Sequence, residues 1–518
     1  MLYEADFIFS PEQLFDRTYV LKSVAQRLSV NVSDISAYRI VRKSIDARKG
    51  IKFNVRLQVA MHGEEFPDLC GNFEFRDVSS CSPVTIIGAG PAGYFAALQC
   101  ILSGLKPVVF ERGKSVDDRK YDISALNSTG LLNPESNYAF GEGGAGTYSD
   151  GKLFTRSKKR GNVTEVLQLL HYFGADEDIL VEAHPHIGTD RLHAIMRNIR
   201  NKILECGGEI HFSSKLTGIK VVDSKVTAVN INGSDEYPCE NLILATGHSA
   251  RDIYYMLHSN GVLLREKGFA MGVRVEHPQT LIDSIQYKCK ERGDFLPAAS
   301  YSLVKQVDGR GVYSFCMCPG GKIVSAITEE NSIVVNGMSN SRRNSPYANS
   351  GIVVELRPED YASCSDNMVF SGMEFQKSLE TLAYRNGGGA AVAPAQRLTD
   401  FVAGRISANL PSVSYEPRVV SSPMHFWMPE FLSSRLREGF RQFNRQMHGF
   451  LTNEALVVGV ESRTSSPVQV VRDVETMRSV SVQNLYPCGE GAGYAGGIVS
   501  SAVDGMEAVK RIVASQLG

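Results

Sequence analysis

The residues with the clearest chemical potential are six in a row, Gly88-Ala-Gly-Pro-Ala-Gly93. They satisfy G-x-G-x-x-G, a spacing that means little by itself because glycine-rich turns are common. Here it follows the β-branched run Val84-Thr-Ile-Ile87, opens an apolar helical stretch, and leads to a second strand-like run, Pro107-Val-Val-Phe110, which ends at Glu111. In that setting the three glycines do different things. Gly88 permits a tight turn, Gly90 lets the backbone approach a diphosphate, and Gly93 brings helix and strand together. The free N–H groups and helix dipole at such a turn favour an anion. Glu111 stands where an acid accepts both ribose hydroxyls of an adenosine. Pro91, Ala92 and Arg112 flank these positions and join the expected nucleotide-binding set.

Two later segments bear on which dinucleotide this is. Leu242-Ile-Leu-Ala-Thr-Gly247 closes a strand-rich stretch, and Leu485-Tyr-Pro-Cys-Gly-Glu-Gly-Ala-Gly-Tyr-Ala-Gly-Gly-Ile498 lies near the C-terminus. Both resemble segments of the glutathione-reductase-like flavoprotein superfamily, and the resemblance implies FAD. Leu216, Thr246, Gly247, Gly489, Glu490, Gly496, Gly497 and Ile498 are then carried over as cofactor contacts, with Glu490 standing where the superfamily usually has Asp. A helix that starts after Gly496-Gly497 would stabilise negative charge near N1 and O2 of a reduced flavin.

The elements that position these groups define the expected fold class, α/β. A Rossmann-like FAD-binding domain with a parallel sheet and a β-meander is expected over 81–255 and 456–518. An inserted strand-rich α+β substrate or cap domain is expected over 256–455, and a ferredoxin-like α+β module over 1–80. Strands of the meander are read at 209–212, 218–222 and 226–231, while the polar stretch 340–350 shows no core-forming periodicity. The length of 518 residues exceeds what one core supports. Lys plus Arg number 55 against 56 Asp plus Glu, for a net charge of -1. That balance argues against nucleic acid or membrane as a partner. Glycines near the start of the apolar stretch 84–102 suit a strand, turn and helix instead of a membrane span. Acidic residues near the N-terminus and ten scattered cysteines point to the cytoplasm.

Taken in order, further motifs resemble the family described generically as FAD-dependent (NAD/FAD-utilising) dehydrogenases. They are Phe140-Gly-Glu-Gly-Gly-Ala-Gly-Thr-Tyr-Ser-Asp-Gly-Lys-Leu153, Gly272-Val-Arg-Val-Glu-His-Pro278, Cys316-Met-Cys-Pro-Gly-Gly321, Asn336-Gly-Met-Ser339, Ala393-Pro-Ala-Gln-Arg397 and Glu461-Ser-Arg-Thr-Ser-Ser466. The first repeats the G-x-G-x-x-G count without its strand and helix, so Gly144, Gly146, Thr147, Asp150, Gly151 and Lys152 are read as a wall beside the flavin. Candidate catalytic groups are Lys152, Glu276 and His277 as an acid–base pair, and Arg463, which with Arg397 would clamp an anion or anchor a loop carbonyl. In an extended segment Cys316 and Cys318 share a sheet face without facing each other, which favours buried thiols over a redox pair. Cys488 reads as a packing residue, and no metal site is expected.

These features lead to an FAD-dependent oxidoreductase that transfers hydride through flavin N5 to or from a small molecule. No NAD domain is visible, so NAD(P)H as donor would dock transiently over the flavin face. Two alternatives stand beside it. One is an RNA-modifying flavoprotein, with Arg156-Ser-Lys-Lys-Arg160 as its handle. The other is a flavin-binding redox sensor that contacts a protein through residues 1–80.

Overall fold

The computed structural model describes residues 2–155 and 161–517. The basic run at 156–160 lies outside the described residues.

The glycine turn is built as its local chemistry requires. Strand Pro83–Ile87 is buried beyond its first residue and runs into Gly88, whose φ of +103° is left-handed. A Cβ there would sit 2.4 Å from the Ala245 carbonyl oxygen. Gly90 caps helix Pro91–Leu102, with proline in the first turn, where its missing N–H removes no intrahelical bond. That helix is buried on nearly every side because it runs between the sheet and other helices. Five strands pair in parallel, in the order Leu485–Pro487, Leu242–Leu244, Pro83–Ile87, Lys106–Phe110 and Glu209–His211. Helix Ile498–Leu517 packs on Pro91–Leu102, with Ala502, Met506 and Val509 joining Phe95 and Leu98 in one core. The chain's two distant segments thus share one sheet.

The meander consists of Leu216–Val222, Lys225–Ile231 and Asp235–Pro238. Glu209–His211, expected within it, belongs to the parallel sheet instead, and three residues are too few for periodicity to show which partner they take.

The second large sheet has seven strands, in the order Val304–Val307, Arg310–Cys318, Tyr347–Leu356, Phe269–Pro278, Leu456–Glu461, Ala393–Arg397 and Val419–Ser421. All its pairings are antiparallel except the last. Helices Met368–Gly387 and Glu430–Gln446 cover it with Leu379, Ala383, Leu432, Leu436 and Phe440. Two expectations change. The stretch 340–350 runs into the buried strand Tyr347–Leu356, whose Asn349 and Ser350 are polar yet fully enclosed. Leu456–Glu461, placed by sequence in the closing FAD segment, is a central strand of this sheet. The chain enters and leaves the seven-stranded unit through Leu264–Glu266 and Val468–Val470, which pair with each other.

At the N-terminus a three-stranded antiparallel sheet, in the order Tyr3–Phe9, Lys52–Met61 and Ile35–Asp46, packs Val55, Leu57 and Val59 against Val20 and Val24. Residues 11–28 fold as two helices, Pro11–Phe15 and Arg17–Leu28, because the Asp16 carboxylate caps the second by accepting from the N–H groups of Thr18 and Tyr19. No helix among the described residues is long and apolar enough to cross a membrane.

Candidate functional site

A cavity of about 380 Å³ opens where the C-terminal ends of the parallel strands meet the seven-stranded sheet. That volume falls within the range of small-molecule sites. It is lined by the glycine turn (Gly88, Gly90, Pro91, Ala92), by Glu111, Arg112 and Leu216, and by Gly144, Gly146, Asp150, Gly151 and Lys152 of the second glycine loop, which packs against that turn. Thr246, Gly247, Gly489, Glu490, Gly496, Gly497 and Ile498 complete the floor. Two expected contacts do not line it. Gly93 sits on the helix–strand contact, where a Cβ would fall 1.8 Å from the Gly88 carbonyl oxygen. Thr147 is buried and donates its hydroxyl to the Glu142 carbonyl.

The N-termini of helices Pro91–Leu102 and Ile498–Leu517 both open into this cavity. Their free N–H groups make two electropositive ends within one elongated space. A Cβ added at Gly496 or Gly497 would meet nothing within 4 Å, and at Gly90 only the Gly144 Cα at 3.9 Å, so these glycines face open room. The cradle fits a dinucleotide, with a diphosphate at the first helix and an electron-rich ring edge at the second.

Glu111, expected from sequence to meet a ribose, lines the cavity and is also bound to the backbone around it. Its carboxylate accepts from the N–H groups of Ala89 (2.8 Å), Gly113 (2.8 Å) and Gly141 (2.9 Å). A carboxylate has about four acceptor sites, so most of those on Glu111 are already taken by the backbone. Arg112 is also committed, to Glu135 (2.7 Å) and Asp252 (3.1 Å), with its guanidinium 4.1 Å from the centre of the Phe140 ring. The sequence reading missed Arg119. This fully buried cation donates to the carbonyls of Asn137 (2.7 Å), Glu142 (2.9 Å) and Gly144 (2.9 Å) and so fixes the second glycine loop.

At the opposite end Asp150 forms a fork with Arg343 and lies 3.8 Å from the Lys152 ammonium. Burial works against the Asp150 charge, but Lys152 and Arg343 hold its carboxyl below the ordinary value. Lys152 donates to the Met317 carbonyl. Burial, with Cys316 adding to it, pushes the Glu490 carboxyl up to about 7. Its neighbour His248, 3.6 Å away, is pushed down to about 3 by burial and by the Arg463, Lys267 and Arg251 cations. His248 lines the cavity and was not singled out in the sequence, where nothing but its place after Ala245-Thr-Gly247 marks it.

Glu276 and His277, read as an acid–base pair, do not line the cavity. Glu276 accepts from the N–H (2.8 Å) and hydroxyl of Ser414, and burial pushes its carboxyl up to about 7. His277 is fully enclosed, with Nε2 2.8 Å from the Phe450 carbonyl, and burial pushes it down to about 4. The same strand instead sends Arg274 toward the site. Arg274 is fully buried, pairs with Glu461 (3.1 Å), and donates to the Cys316 carbonyl (3.0 Å) and the Asn349 side chain (3.2 Å). Arg463 does line the cavity, but Glu380 grips it at 3.1 Å through both carboxylate oxygens and Thr328 accepts a further bond at 2.6 Å. Its charge is spent on positioning, not on clamping an anion. Arg397 anchors the carbonyls of Asn409 and Asn453, the loop role among its expected ones. Cys488 is buried as a packing residue.

Comparison with known proteins adds the following. The family described as FAD-dependent protein, C-terminal domain-like, matches residues 268–464, and a domain of unknown function matches residues 1–60. A protein of Clostridium beijerinckii described as uncharacterized is 40% identical over 519 residues, covering 96% of each chain. Among solved structures, flavin-dependent brominase Bmp2 is 13% identical over 84% of this chain and 79% of its own, with a TM-score of 0.38. Tetracycline destructase Tet(51) is 11% identical over 84% and 83%, with a TM-score of 0.33. Halogenase PltM in complex with phloroglucinol and FAD is 12% identical over 84% and 69%, with a TM-score of 0.37. Likenesses at this level are distant.

Proposed function

The chain belongs to a family of FAD-dependent proteins, and from that membership we propose that it is an FAD-dependent oxidoreductase of the glutathione-reductase-like kind, transferring a two-electron hydride equivalent between flavin N5 and a small molecule. The observation that carries this reading is the pair of helix N-termini, at Gly90–Pro91 and at Gly497–Ile498, aimed into one glycine-lined cavity. Flavin supplies a two-electron acceptor whose reduced form is anionic near N1 and O2.

The chain's own residues do the rest. The turn at 88–92 binds the diphosphate with backbone N–H groups, and Glu111 holds that turn against the second glycine loop while accepting from the ribose. The N-terminus of Ile498–Leu517 stabilises the reduced ring. Glu490, with its value near 7, holds or releases a proton beside His248, which stays neutral and able to accept. Phe315, Cys316 and Asn336 line the same cavity and would shield a bound flavin from water. The Arg463 charge is answered by Glu380, whereas Asp150 is shared between Arg343 and Lys152, so the Lys152 end of the site keeps a net positive charge.

The test is direct. Purified protein is expected to hold about one FAD per chain by absorbance, and anaerobic mixing with NADH, NADPH and a metabolite panel should bleach it with at least one of them. Folded protein that refuses added FAD overturns the reading, and so does bound FAD that no candidate donor reduces.

A further inference from the structure

Cys316 and Cys318 break the pattern of the strand that carries them. Phe315 pairs with Gly351 and Cys318 with Asn349, so three steps on one strand oppose two on its neighbour. The extra residue makes a bulge, and Cys316 takes a left-handed φ of +47° there. In a regular strand, residues two apart are separated by roughly 6.6 Å, at the upper edge of the ~4.4–6.8 Å Cα separation a disulfide allows. The bulge draws the two thiols together. The Cys318 thiol donates to the Cys316 carbonyl oxygen at 3.3 Å, folding its side chain back onto the Cys316 residue. The extended segment expected from sequence would have kept them apart.

Their surroundings favour thiol chemistry. Cys316 lines the flavin cavity while Cys318 lies fully buried behind it. Lys152 is anchored on the carbonyl of the intervening Met317, and Arg274 on that of Cys316. The hydrogen bond from Cys318, with these two cations, holds the Cys316 thiol below its ordinary range against the opposing effect of burial, and Cys318 is pushed up. A more acidic thiol at the cavity wall with a less acidic one behind it favours disulfide formation, in which a thiolate displaces onto its partner. Among the described residues no disulfide engages either cysteine, so both sulfurs are available to each other.

We propose that Cys316 and Cys318 are a dithiol–disulfide couple that exchanges two electrons with the bound flavin. When the Sγ–Sγ bond forms, the Cys318 S–H bond breaks. The electron pair and that proton pass to the oxidised flavin, which becomes its singly protonated, anionic reduced form, so atoms and charge balance with the Cys316 thiolate as the starting anion. The reverse step reopens the disulfide. This rests on the flavoenzyme reading above and gives the site a second two-electron store.

The test uses the full-length flavin-loaded protein, oxidised with diamide, desalted and titrated anaerobically with dithionite. Wild type is expected to take up four electrons per flavin, whereas C316S and C318S take up two. Tryptic cleavage after Arg310 and Lys322 isolates both cysteines on one peptide with no other cysteine. That peptide should lose two hydrogens on oxidation and bind two alkylating groups after reduction, in wild type without recourse to any variant. The same oxidised protein stripped of flavin should keep its disulfide under dithionite. Uptake of two electrons by wild type, two alkylatable thiols after diamide, or a disulfide that opens equally without flavin would each overturn the couple. Protein that holds no FAD fails the flavoenzyme reading instead, which the absorbance shows separately.

Discussion

Removing both members of the buried Arg274–Glu461 pair should cost less than the sum of removing each alone. The two groups are 3.1 Å apart and essentially without solvent exposure, in the middle of the seven-stranded sheet. In R274M the Glu461 carboxyl is stranded, and in E461M the guanidinium is. Breaking one side of a buried pair costs about 3–5 kcal/mol. The double variant strands no charge. It leaves the Cys316 carbonyl and the Asn349 side-chain oxygen without the bonds Arg274 gave them, at about 1–3 kcal/mol each. At mid-range the singles sum to about 8 kcal/mol against about 4 for the double, an interaction energy of about 4 kcal/mol, at or above the upper end for residues in contact. Urea unfolding followed by circular dichroism reads the three values from midpoints at constant m. An interaction energy below about 0.5 kcal/mol would refute the reasoning, because it would mean that neither charge depends on the other.

Three further outcomes follow from the geometry. G93A forces a Cβ to within 1.8 Å of a backbone oxygen, so helix Pro91–Leu102 must shift away from its strand, and FAD affinity measured by flavin fluorescence should fall at least about tenfold, or about 1.4 kcal/mol; unchanged affinity would show the contact to be slack. E111Q turns a carboxylate oxygen into an amide that faces backbone donors, and it should weaken FAD by a similar factor in equilibrium dialysis, an effect that must vanish if Glu111 touches only solvent. The folded value of Glu276, up to about 7, lies above the unfolded one, so the folded chain keeps that proton longer and stability is lost as pH rises from about 4.5 through about 7. At about 1.4 kcal/mol per unit, wild type should lose about 3 kcal/mol relative to E276Q across that window, and parallel stability curves for the two proteins would contradict the assignment.

The glycine turn was legible because everything it needs is local: three glycines at fixed offsets, a β-branched strand before, an apolar helix after. The closing segment was legible from its glycine turn and following helix as well as from its resemblance, and Leu485–Pro487 does pair beside Leu242–Leu244. Arg274 was invisible because its neighbours, Glu461, Asn349 and Cys316, come from three other strands. The same motif offered Glu276 and His277, residue types more often linked with catalysis, and burial turned both inward. The Cys316 bulge leaves no trace in composition, since only pairing with Tyr347–Leu356 reveals the extra residue. Arg119 lies in an exposed-looking run, Val116-Asp-Asp-Arg-Lys120, and nothing in that run announces a cation closed off from water.

Leu264–Glu266 and Val468–Val470 form a doubled stem on which about two hundred intervening residues hang. Since both ends of that insertion emerge side by side, a foreign domain grafted there would have only one junction to match. The nucleotide-holding half would keep its own sheet, and exchange of the roof would redirect the chemistry without rebuilding the floor.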